Sequence, residues 1–390
     1  MCKWLLKKTV HSAVVSCGCL LGLGALPSDA AEWSVTPVYS SSVDYDSNRR
    51  LVTDSRGTGS AFLTADLRFK RALEDSEISI EPRYTLRRYS DSALGNGDER
   101  SIAASVFNAR ERSTLQLTAS YSDTSTLVSE LLETGIVSGD THRQQIQAGS
   151  GWSWSQTERR QLVTQLSYID VSYHGQASDR LPGFRYPTGS VGERFIFSES
   201  GSITVSAFGS ALSSDVQGGS NHEYGLQAEL TYFLSERTHL DGSIGESSRL
   251  LNGESSHGTD ASASLTHDMT RANLVLTYTR SLVPYGIGFL VERQQATASA
   301  QYRLTPFLDA NISALRIQNN DTTVRLGLDR RSINTVSTGL TWHPTETWSA
   351  GLQIAGVRTQ APTIQGDVNV NEWRSLVTLT WSPLPWARSW

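Results

Sequence analysis

Charge gathers at alternating positions between residues 66 and 87: Asp66, Arg68 and Lys70, then Glu81, Arg83 and Arg87. Side chains spaced by two share one face of a strand, because successive strand residues point to opposite sides. Arginines in such a row, lining a water-filled passage, steer anionic solutes or acidic sugar chains through a constriction. Interleaved with carboxylates, the same residues instead brace a wall as opposed pairs. The spacing alone leaves both roles open.

A second candidate lies at 123–141. Leu127, Val128, Leu131 and Leu132 fall at i, i+1, i+4 and i+5, one face of a short helix. Ser125 or Thr126 would cap it, with Glu130 in its early turns. Such a segment folds inward to narrow a pore, covers a neighbouring protomer, or lies on a lipid surface. Catalytic chemistry has little to work with. There is no Gly-x-Ser-x-Gly elbow, and His142, His174, His222, His239, His257, His267 and His343 share no metal-ligand spacing. Gly286 and Gly288 lack the third glycine of a nucleotide fingerprint. The expectation is a chain without cofactor or metal that is not an enzyme.

The elements that must position these residues repeat one phrase from about residue 33 to 382. A strand-like run, a long polar connection, a second run and a tight turn follow one another. Long connections read at 46–58, 90–99, 123–141, 174–187, 213–221, 248–258, 281–290, 317–331 and 358–370. Short ones read at 71–76, 110–113, 156–159, 199–201, 235–238, 268–271, 305–307 and 344–347. Strict alternation of long and short puts all long loops at one rim, which a transmembrane barrel requires and a soluble sandwich does not. The expected fold is all-β: a single antiparallel up-and-down transmembrane barrel of about 18 strands, 16 being the lower count.

Alternation within the runs supports that fold. Ala61, Leu63, Ala65, Leu67 and Phe69 alternate with Thr64, Asp66, Arg68 and Lys70, Phe62 being an apolar exception on the polar side. Ile78, Ile80, Pro82, Tyr84 and Leu86 alternate with Ser79, Glu81, Arg83, Thr85 and Arg87. The polar face is too hydrophilic for a sandwich core and suits a solvated wall. Only 188–198 and 259–267 alternate poorly. Tyr121, Tyr168, Tyr232, Tyr278, Tyr302, Trp342, Trp348 and Trp381 sit on the outward set at or near strand ends, where amphipathic rings form membrane girdles.

The ends read differently. Lys3, Lys7 and Lys8, an apolar stretch from Ala13 to Leu26, and small residues at Ser28 and Ala30 make residues 1–30 a secretory signal. The barrel is expected over 31–382, with 383–390 as a short tail or truncated extra strand. All three cysteines, Cys2, Cys17 and Cys19, fall in the signal, which excludes a disulfide framework from the remainder. Losing three lysines and one aspartate from 34 cations and 39 carboxylates leaves a net charge of −7. That balance argues against nucleic acid as a partner.

Trp33-Ser-Val-Thr-Pro37 running into Tyr45-Asp-Ser-Asn48 resembles the opening strand of the β-barrel porin family of Gram-negative outer membranes. Ala65-Asp-Leu-Arg68 and Pro82-Arg-Tyr-Thr-Leu-Arg-Arg-Tyr89 resemble its next two strands, and Ser382-Pro-Leu-Pro-Trp386 resembles a turn of barrels that accompany exopolysaccharide and exosortase systems. The chain departs from the family at Ser47, where aspartate is usual, and at Pro383 and Pro385, which interrupt the terminal strand. The resemblance implies an outer-membrane pore for hydrophilic solutes, or a part in surface polysaccharide export. Implied partners are outer-membrane lipid, the outer-membrane assembly machinery and polysaccharide export components. Two other functions compete: a non-conducting surface protein whose loops bind a partner in adhesion or matrix attachment, and a hydrolase with Ser and His drawn from separate strands.

Overall fold

The computed structural model describes residues 32–389 except 52–55, 95–96, 131–140, 176–180, 215–220, 252, 287, 321–330 and 364–365. Residues 1–30, read from the sequence as a secretory signal, lie outside the described residues. Nineteen strands follow in chain order: β1 (Glu32–Asp46), β2 (Thr58–Ala72), β3 (Ser76–Tyr89), β4 (Gly97–Arg110), β5 (Ser113–Ser125), β6 (His142–Thr157), β7 (Arg160–His174), β8 (Phe184–Ser198), β9 (Gly201–Ser214) and β10 (Asn221–Ser235). The second half comprises β11 (Thr238–Leu251), β12 (Glu254–Asp268), β13 (Ala272–Tyr285), β14 (Phe289–Thr305), β15 (Leu308–Asn320), β16 (Ser332–Trp342), β17 (Trp348–Thr363), β18 (Gly366–Trp381) and β19 (Trp386–Ser389). One four-residue helix, α1 (Thr126–Ser129), and a 3-10 turn at Ser92–Leu94 complete the described elements.

Each strand from β1 to β18 pairs antiparallel with the next, and β1 pairs with both β2 and β18. The sheet is therefore closed on itself. Against β1, β18 covers Tyr39–Asp46 and β19 covers Glu32–Val35, so these two strands share one position in the wall. The barrel has 18 strand positions, and 16 is excluded. Pro383 and Pro385 break the line between β18 and β19, since neither can donate to the ladder. Trp381 ends β18, and the tail returns to the same edge of β1.

The eight short turns fall where the sequence puts them. Register shifts at Ser155/Thr157, Ile196/Ser198, Phe233/Ser235 and Arg303/Thr305 all sit at this rim, where a bulge tightens the hairpin. Three of the long connections are shorter than expected. β11 runs to Leu251 with β12 starting at Glu254, β13 runs to Tyr285 with β14 starting at Phe289, and β17 runs to Thr363 with β18 starting at Gly366. Serine, glycine and histidine in these stretches look like loop in sequence, yet pairing with the adjacent strand holds them extended. The weakly alternating stretches 188–198 and 259–267 lie within β8 and β12.

The two faces differ as the alternation requires. Val43, Leu63, Leu166, Leu226, Ile244 and Val336 are among the most exposed large apolar side chains and share the outer face. An apolar surface this extensive on a closed antiparallel barrel is an outer-membrane architecture, with hydrocarbon rather than water outside. Inward, six cross-strand hydroxyl pairs recur around the wall: Ser42–Thr378, Thr64–Thr85, Ser79–Ser105, Ser167–Thr188, Ser243–Ser262 and Ser313–Ser337, at 2.7–3.0 Å. A strand of 15 residues spans roughly 50 Å, and tilt of about 40° leaves roughly 38 Å along the axis, more than the apolar band of about 25 Å. The surplus explains polar outward residues at the long-loop rim, such as Arg100 paired to Asp123 at 3.0 Å.

Candidate functional site

The alternating charges on β2 and β3 all take the inward register, opposite in face to Leu63, Leu67 and Ile80. They are paired with carboxylates rather than free. Arg68 meets Glu81 at 2.6 Å, Lys70 meets Glu77 at 2.8 Å, Arg83 meets Asp66, and Arg87 meets Glu99 at 3.1 Å. Phe62, the apolar exception, lies under the Arg87 guanidinium at 4.8 Å from the ring centre. A cation on a ring face offsets the cost of an aromatic turned towards water. Arg68 and Arg83 nevertheless keep 60% and 61% of their side-chain surface exposed while facing inward.

The segment at 126–130 does turn inward. Ser125 caps α1 by accepting the Leu127 N–H at 3.3 Å; Leu127 is buried and Val128 exposed. Glu130, fully buried, accepts from the Tyr173 hydroxyl at 2.8 Å and faces Arg143 at 3.5 Å, both on the inward face of β7 and β6. Leu131 and Leu132 lie outside the described residues.

A larger inward element comes from β13 and β14. The ladder between β12 and β13 stops at Ala261↔Arg280, although β13 stays paired with β14 to Tyr285↔Phe289, and β14 with β15 to Glu292↔Asn320. The end of this hairpin peels away from β12. Its direction follows from its contacts: Leu282 and Leu290 join Val171, Tyr173, Leu181, Phe184, Tyr186, Leu212 and Leu251 in one buried cluster. Strands β7 to β9 and β14 are not neighbours in the wall, so their side chains meet only across the lumen. At the tip, Gly288 has φ +82°, and a Cβ there would strike Ser214 and Pro182. Glycine suits both demands.

Electrostatics anchors the same hairpin. Arg249 on β11, 4% exposed, holds Glu223 at 2.9 Å, Asp260 at 3.0 Å and Glu292 at 3.7 Å. Arg280 also binds Glu292, at 3.0 Å. Gly258, on the inward face of β12, is where the Arg249 guanidinium lies flat; any side chain there would collide with it. None of Glu223, Arg249, Asp260, Leu282, Leu290 and Glu292 stands out in the sequence. The available signal is that Leu282 and Pro284 continue the alternation of Leu276 and Tyr278 into a stretch that glycines mark as loop.

The eight aromatics all lie on the outward register. Tyr232, Tyr302, Trp342, Trp348 and Trp381 stand at the short-turn rim, with Trp381 stacked on Trp348 and Tyr39 at 6.0 and 5.6 Å. Tyr121, Tyr168 and Tyr278 stand higher, towards the long loops.

Fold and lumen together define a large outer-membrane barrel with a polar interior and an inward-folded hairpin. No family model matches the chain, and no curated protein sequence does. Solved structures are similar in fold. Pseudomonas aeruginosa OpdQ is 12% identical, with 90% of this chain and 99% of that chain covered and a TM-score of 0.48. Acinetobacter baumannii OccAB1 is 11% identical, with 90% and 97% covered and a TM-score of 0.47. A mutant of the ferric enterobactin receptor PfeA from Pseudomonas aeruginosa is 10% identical, with 89% and 80% covered and a TM-score of 0.45. Likeness at this level says nothing of what crosses the wall.

Proposed function

We propose that this chain is a passive outer-membrane pore for hydrophilic solutes, narrowed on one side by the β13–β14 hairpin. The observation that carries this reading is the exposure of Arg68 and Arg83. Inward-facing guanidiniums that stay more than half exposed need water in the lumen, and a barrel of this strand number is wide enough to hold it. A side-chain-filled interior would bury them. Reconstitution in planar lipid bilayers tests the reading: steady single-channel currents are expected, and a silent, folded barrel would favour the loop-binding surface protein instead.

Within that function we favour uncharged, hydroxyl-rich solutes, surface polysaccharide among them. Support comes from the six hydroxyl pairs around the inner wall and from the pairing of the β2–β3 cations with carboxylates, which leaves little net field for selecting ions. Liposome swelling with neutral sugars of increasing size, against charged sugars of equal size, separates this from an anion-selective pore. Faster entry of the charged anions would contradict it.

A further inference from the structure

Where β13 leaves the wall, Glu254–Asp260 of β12 is paired to β11 on one side and to no strand on the other, among the described residues. An unpaired strand edge is a place where another strand adds. The segment best fitted to it is β13's own continuation. Extending the register of Ala261↔Arg280 by one residue per strand puts Asp260 opposite Ser281, Thr259 opposite Leu282 and Gly258 opposite Val283. Alternation runs through the junction without a break, so Leu282 would share the outer face with Tyr278 and Thr259. No bulge or slip is needed.

We propose that Ser281–Tyr285 and Phe289–Glu292 form a gate with two seats. In the lumenal seat, seen here, Leu282 and Leu290 share a buried cluster with Val171, Phe184 and Leu212. In the wall seat β13 zips onto Glu254–Asp260, the hairpin leaves the lumen and the passage widens. The apolar face of the hairpin serves both seats, which is why its alternation persists in a stretch that does not line the wall. Arg249, joined to Glu223 and Asp260 on the wall and to Glu292 on the hairpin, is the latch of the lumenal seat. This gate rests on the pore reading.

Paired cysteines test it in a chain with no cysteine after Cys19. Thr259→Cys with Leu282→Cys joins the two residues only in the wall seat, because a disulfide needs Cβ atoms about 3.5–4.5 Å apart. In the lumenal seat Leu282 is buried inside while the Thr259 side chain faces out. Leu212→Cys with Leu290→Cys joins the lumenal seat, where the two side chains share the buried cluster between β9 and β14. Folding of each variant is checked by heat-modifiable migration before bilayer recording. Oxidation of the first pair is expected to raise unitary conductance by at least about 1.5-fold, reversed by reductant, as an occupied cross-section is freed. Oxidation of the second is expected to hold the lower level and abolish switching. A first pair that does not cross-link, or that cross-links with unchanged conductance, overturns the gate while leaving the pore. Loss of current in the unmodified protein overturns the pore itself.

Discussion

Arg249 is the residue on which the lumenal arrangement turns, because three carboxylates converge on one buried guanidinium. Breaking such a set by removing one partner leaves uncompensated buried charge and costs about 3–5 kcal/mol. Arg249→Met is therefore expected to lower the unfolding free energy extrapolated from denaturant titration by that amount. Gly258→Val is expected to reproduce part of the loss, since it displaces the guanidinium without removing it. The exposed pairs of β2 and β3 behave differently. Arg83→Ala should change stability by no more than about 1 kcal/mol. It also leaves Asp66 unpaired in the lumen, so reversal potentials in a salt gradient should move towards cation preference. A shift towards anions would contradict the inward placement. Period two makes the face of each of these residues legible in sequence, from Asp66 to Arg87. Their partners are not legible, because Glu77 and Glu99 belong to pairings that only the three-dimensional register fixes.

At the level of elements, the hairpin between β13 and β14 is held in by apolar burial. Leu282 and Leu290 are 5% and 3% exposed, and removing each from water contributes about 1.5–3 kcal/mol. Replacing both by serine weakens the lumenal seat far more than any rim contact does. Long dwells at the higher conductance are expected in single-channel records of the Leu282→Ser, Leu290→Ser variant, and unchanged dwell times would deny the cluster this role. Sequence pattern points instead to 123–141, where Leu127 and Glu130 do turn inward on a capped four-residue helix. It misses the hairpin because Pro284, Gly286 and Gly288 read as loop punctuation. What decides the hairpin's path is contact with β7 to β9, strands more than 60 residues away in sequence. Periodicity carries no information about such contacts.

The whole molecule follows from closure. An even alternation of long and short connections is visible in sequence from residue 46 to 370, and it sets the strand number because, among the described residues, only the four-residue α1 and the 3-10 turn at Ser92–Leu94 stand between strands. The joining of β1 to both β18 and β19 is less visible, since Pro383 and Pro385 hide the last strand segment. Outward aromatics should locate the barrel in the bilayer. Brominated lipids carrying bromine near the headgroup are expected to quench tryptophan emission more strongly than those brominated mid-chain, because Trp342, Trp348 and Trp381 stand at one rim. Stronger mid-chain quenching would move the membrane boundary away from that rim.

Recording single channels from the purified, unmodified protein in a planar bilayer tests the central claim most directly. A water-filled lumen with one hairpin folded into it predicts discrete, steady current steps with occasional transitions to a larger step. A barrel that inserts and folds but passes no current contradicts it.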